Sequence, residues 1–134
     1  MATWRRKAMA LLPAARGDLQ RRDYPISSLF ICYLKPAARL AHEVEDEGAL
    51  RRFYEFAGWC LQQHADEVRD AARLSFYWHI FDVPRYRTAA AAQLTPEVVA
   101  CCWPMWERIL SAEELVQVRR AISGGRRKPR QPED

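Results

Sequence analysis

The feature that most constrains this chain lies near its middle, between Arg73 and Asp82. There Leu74, Phe76, Tyr77, Trp78, Ile80 and Phe81 are interrupted only by Ser75, His79 and the two end charges. A helix built from this run has no polar face, and a helix that is apolar all round must be buried. The rest of the chain therefore has to supply layers around it.

The flanking pattern supplies helices. Trp4, Ala8, Leu11 and Leu12 share one face of a short N-terminal docking helix, with Thr3 as its N-cap and Pro13 limiting it. A first main helix is expected over residues 27–47, capped by Ser27 or Ser28 and carrying Leu29, Phe30, Tyr33, Leu34, Ala37, Leu40, Ala41 and Val44 at helical spacing. Pro36 falls inside it and predicts a kink or a restart. A second, over 49–64, has two apolar faces: Leu50, Phe53, Tyr54, Ala57, Cys60 and Leu61 on one, Phe56 and Trp59 on the other. A third is expected over 66–82, capped by Asp66, with the aromatic run as its C-terminal half and Pro84 beyond its end. Thr95-Pro96-Glu97 starts a helix over 95–110, which Pro104 should interrupt. Ser111 and Glu114 form a capping box for a last helix over 111–123, stopped by Gly124-Gly125. No alternating strand pattern occurs. The expectation is an all-α single domain over residues 1–123, an irregular helical bundle or short α-superhelical stack of about five or six helices. Residues 124–134 follow as a basic, disordered tail.

Charge separates the ends from the body. Of the net +4, residues 1–23 contribute +4 and residues 124–134 contribute +2, while residues 24–123 are at −2. A nucleic-acid binder should carry a basic stripe on its folded body, so the balance disfavours nucleic acid as the partner. Cys32, Cys60, Cys101 and Cys102 lack the paired spacing of a zinc site and read as small core residues in a reducing, cytoplasmic setting. No apolar run reaches the roughly 18 residues of a membrane span, and no cofactor motif is present.

The search for reactive groups leaves little. His64 with Glu67, and His79 with Asp82, place an imidazole and a carboxylate one helical turn apart. The apolar stripes offer none of the inward carboxylates that a helical metal site needs, so His79 reads as a buried histidine bonded to a polar neighbour. Ser75 and His79 would be adjacent at i and i+4, but no glycine-bracketed elbow exposes the serine. No catalytic constellation is assigned. Trp59, Trp78, Trp103 and Trp106 are core candidates; any of them found exposed would mark a partner surface. Glu43, Glu45, Asp46 and Glu47 end the first main helix, where carboxylates oppose the macrodipole, and this makes them the candidate partner-binding cluster.

Three stretches occur together: Trp4-Arg5-Arg6-Lys7-Ala8 leading to Leu12-Pro13, Phe53 to Cys60, and Leu74 to His79. With Leu94 to Val98 and the closing helix, they resemble a family of small, uncharacterised all-helical bacterial proteins over nearly the whole chain. Members look like the single-domain proteins encoded beside polymorphic toxins. The resemblance implies protein–protein interaction, and most concretely an immunity protein that neutralises the toxin of a neighbouring gene by steric occlusion. Trp78 stands where the family pattern has glutamate, so His79 carries over and the Glu–His pair does not. The alternative is a basic-tailed nucleic-acid-binding or regulatory protein.

Overall fold

The computed structural model describes residues 2–127, which are mostly helical and contain no strand among the described residues. The chain divides into two compact units, residues 1–77 and 78–134. The boundary falls inside the aromatic run.

In the first unit, α1 (Thr3–Leu11) and a 3-10 turn at Pro13–Ala15 lead to the short α2 (Arg16–Leu19). A continuous helical run over residues 26–44, here α3, follows in three parts: Ile26–Ser28, a π-helical segment at Leu29–Leu34, and Lys35–Val44. Pro36 thus stands in the first turn of the last part, where its missing N–H costs least. The wider π turn before it re-registers the chain, so the predicted restart occurs without a break. α4 (Glu47–Leu61) and α5 (Asp66–Ser75) complete the unit. α4 is central, packing against α1, α3 and α5. Both of its apolar faces are used, with Leu50, Phe53, Tyr54, Ala57, Cys60 and Leu61 buried on one and Phe56 fully buried on the other.

The third main helix ends seven residues earlier than the spacing predicts. Phe76 leaves the helical region at φ −126°, ψ −66°, and a 3-10 turn over Tyr77–His79 follows. The reason lies in the packing. Phe76 meets Tyr54 at 5.0 Å, Phe30 at 6.2 Å and Tyr77 at 5.2 Å between ring centroids, and Phe30 stacks on Phe56 at 5.7 Å. Consecutive helical residues point 100° apart, so a helix would have carried Tyr77 away from the core that holds Phe76. Breaking it buries both.

In the second unit, Phe81 meets Trp106 at 5.0 Å, and a 3-10 turn at Pro84–Tyr86 precedes α6 (Arg87–Ala92), formed by the alanine run. α7 (Pro96–Ile109) starts as predicted, with the Val98 N–H donating to Thr95 Oγ1 at 3.3 Å, and it passes through Pro104 without stopping. α8 (Ala112–Arg127) starts on the predicted capping box. Ser111 N–H donates to Glu114 Oε1 at 2.9 Å, and Glu114 N–H donates to Ser111 Oγ at 3.1 Å. α8 packs along α6 and buries Val118 and Ile122. It does not stop at Gly124-Gly125, because a glycine lowers helix propensity without ending a helix whose neighbours favour it. Residues 128–134 of the expected tail lie outside the described residues.

Other expected caps are displaced by one to three residues. Ala2, Pro25 and Ala65 are the N-caps of α1, α3 and α5, so Thr3, Ser27, Ser28 and Asp66 fall inside the first turns.

Candidate functional site

The acidic cluster divides between two elements. Glu43 lies in the last turn of α3, and Glu45 ends that helix in the left-handed conformation, φ 57°. Asp46 is the N-cap of α4, its Oδ1 accepting from Ala49 N–H at 3.1 Å, and Glu47 is the first residue of α4. The predicted clash of four carboxylates with one macrodipole is therefore largely absent. Asp46 and Glu47 sit at a helix N-terminus, where negative charge is stabilising.

What the sequence pattern did not isolate is an exposed apolar pair beside this corner. Leu40 is 61% exposed and Val44 62%, and they stand one turn apart on α3, although both were expected on its buried stripe. The core side of the same helix is made by Ala38 and Ala41, both buried. Residues 40–50 hold four carboxylates and no lysine or arginine. Directly behind the pair, His42 Nε2 shares a 3.2 Å hydrogen bond with the buried Tyr54 hydroxyl, and the rings meet edge to face at 6.1 Å. Burial lowers the imidazole pKa against a smaller upward effect of Glu47, and burial raises that of the Tyr54 phenol. His42 is thus a neutral, positioned group at the base of the acidic corner. Its signal in the sequence was only a polar residue next to the stripe.

His79 is not buried as expected. Its side chain is about a third exposed, and Nδ1 lies 2.9 Å from Asp82 Oδ2. An ionised carboxylate only accepts, so Nδ1 is the donor of this bond. The helical Ser75–His79 adjacency is not formed, because α5 ends at Ser75. His64 lies beyond the end of α4, exposed, and Glu67 is in the first turn of α5, also exposed. Among the described residues no group of three His, Cys, Asp or Glu side chains could hold a metal ion.

The tryptophans separate by environment. Trp106 is fully buried. Trp59 is half-buried with the Lys7 ammonium 5.9 Å from its ring, and Trp103 is half-buried with the Arg119 guanidinium 4.6 Å from its ring. Trp78 alone of the four is exposed, at 38%. The cysteines depart from expectation in the same way: Cys60 and Cys102 are buried, whereas Cys32 and Cys101 are exposed, and all four are free thiols.

Two arginines with no sequence signature fasten their units. Arg5 Nη1 donates to the carbonyls of Leu19 at 2.8 Å and Arg21 at 3.0 Å, and Nη2 to those of Arg22 at 3.3 Å and Tyr24 at 2.9 Å. Arg87, only 8% exposed, donates from Nε to Phe81 O at 2.9 Å, from Nη1 to Gln117 Oε1 at 3.1 Å and from Nη2 to Glu114 Oε2 at 3.0 Å. The Ser111 backbone N–H and Arg87 together hold the Glu114 carboxyl below its usual range.

Fold and site together define an all-helical protein of two compact units, with an exposed apolar helix face beside an acidic corner. Compared with protein-family models, with curated proteins and with solved structures, the chain finds no match in any of the three. No helix among the described residues is long and apolar enough to cross a membrane.

Proposed function

We propose that this chain is a non-enzymatic protein-binding domain that docks a partner on the α3 face bearing Leu40 and Val44. The observation that carries the reading is the exposure of this apolar pair next to the acidic corner. Isolated apolar side chains on a surface are ordinary, but two placed one turn apart beside a cluster of four carboxylates have the makeup of an interface centre with a polar rim. The complementary partner offers an apolar spot surrounded by basic groups, and opposite charge speeds its encounter. Trp78 is the second candidate anchor, since an exposed tryptophan is a favoured hot-spot residue.

The resemblance to small helical proteins encoded beside polymorphic toxins supports a specific version: an immunity protein that covers a basic functional surface of its toxin. Co-expression with the product of the adjacent gene tests it. The proposal predicts a stable complex and survival of the host cell; neither complex nor protection would overturn it.

A further inference from the structure

We propose that the exposed face of α8 is a second, independent site that binds the phosphate backbone of nucleic acid. It rests on Arg119 and Arg120, which lie near the middle of the helix and flank Val116, 50% exposed, and Ser123 around a shallow depression of about 380 Å³. Neither guanidinium has a carboxylate partner among the described residues. Their positions at i±3 and i±4 explain why. Leu115, Val116, Gln117, Ile122, Ser123 and Gly124 occupy those described, and none is acidic. The helix macrodipole does not account for the pair, because its effect is confined to the last turn and both arginines precede that turn.

The charge also continues along the chain. Residues 119–130 contain six basic side chains and no acidic one. Because α8 runs through Gly124-Gly125, positions 126 and 127 belong to the same helix as the arginine pair. The basic excess that the sequence assigns to a terminal tail therefore begins on a folded helix.

An acidic protein surface is the less suited occupant. Such an interface needs a desolvated apolar or aromatic anchor. Here Val116 has no large exposed apolar companion among the described residues of α8, unlike the Leu40–Val44 pair, and the nearby ring, Trp103, is already covered by Arg119 at 4.6 Å. A polyanion needs no anchor; it needs clustered cations whose counterions are released on contact. The Trp103 ring positions the Arg119 guanidinium, which lowers the entropy lost on binding.

Fluorescence anisotropy with the full chain and a labelled 20-base-pair DNA duplex, titrated between about 50 and 200 mM salt, tests the proposal. Binding is expected at low salt, with log affinity falling linearly in log salt. Arg120→Gln, which breaks no described contact, should reduce the slope by about one, and Arg119→Gln/Arg120→Gln by about two. Absence of binding at 50 mM salt, or an unchanged slope in the folded Arg120→Gln variant, would overturn it. So would displacement of the duplex by polyglutamate at equal charge concentration, which would mark an acidic-protein surface instead.

Discussion

Arg87 shows how much of the second unit depends on one side chain. Each of its three nitrogens donates, one to a backbone carbonyl of the segment before α6 and two to side chains of α8, in a site that excludes most water. Truncating the side chain leaves the buried Phe81 carbonyl without its donor, so Arg87→Ala should lower the unfolding free energy by about 1–3 kcal/mol in urea denaturation. Arg87→Lys should recover little of this, since one ammonium cannot reproduce the planar fork. His42 makes a pH-dependent contribution in the first unit. Its pKa is depressed in the folded state, so the unfolded chain binds more protons on acidification. Stability is then complete above about pH 6.5 and declines as pH falls below it, and chemical denaturation between pH 8 and 5 should show a shallower decline in His42→Gln. Neither of these two groups was legible in the sequence. Arginine and histidine roles of this kind depend on carbonyls and hydroxyls brought close by folding, up to 30 residues away in the case of Arg87 and Gln117. The capping pair Ser111–Glu114 was legible because both partners lie within four positions and the geometry is that of the helix itself.

At the level of the helices, the distinction is between local chemistry and tertiary demand. The starts of α7 and α8 follow from Thr95 and Ser111, and the two-faced α4 follows from periodicity alone. The early end of α5 does not, since no glycine or proline lies near Ser75. It comes from the need to place both Phe76 and Tyr77 in the core. The exposure of Leu40 and Val44 was hidden for a related reason: periodicity assigns a face but not its neighbour, and α4 covers only part of the stripe. Pro104 offers a direct check on α7. It lies exposed inside a continuous helix, where a proline forgoes a backbone bond and crowds the preceding turn. Pro104→Ala should raise the unfolding free energy by about 1–2 kcal/mol, less than the full helix-interior penalty because the unfolded chain gains freedom. Phe56→Ala, emptying the second face of α4, should cost about 3–5 kcal/mol. Thermal or urea unfolding of the two variants measures both.

For the whole chain, each compact unit carries its own exposed feature: the Leu40–Val44 face in the first and the Arg119–Arg120 face in the second. The all-α class was readable from hydrophobic spacing. The division after Tyr77 was not, because it cuts a mainly apolar, aromatic run that carries no linker composition. The acidic corner was legible in sequence as a run of four carboxylates, but the argument that singled it out, opposition to a helix dipole, is largely lost because Asp46 and Glu47 begin α4. The apolar pair beside it now carries the binding account. The measurement that tests this most directly is titration calorimetry of the purified chain against the product of the adjacent gene, with Leu40→Ser/Val44→Ser as the comparison. Loss of the two apolar contacts, at about 1 kcal/mol each, should weaken the dissociation constant at least tenfold while leaving the circular dichroism spectrum unchanged. A folded double variant that binds as tightly as the parent chain would contradict the account.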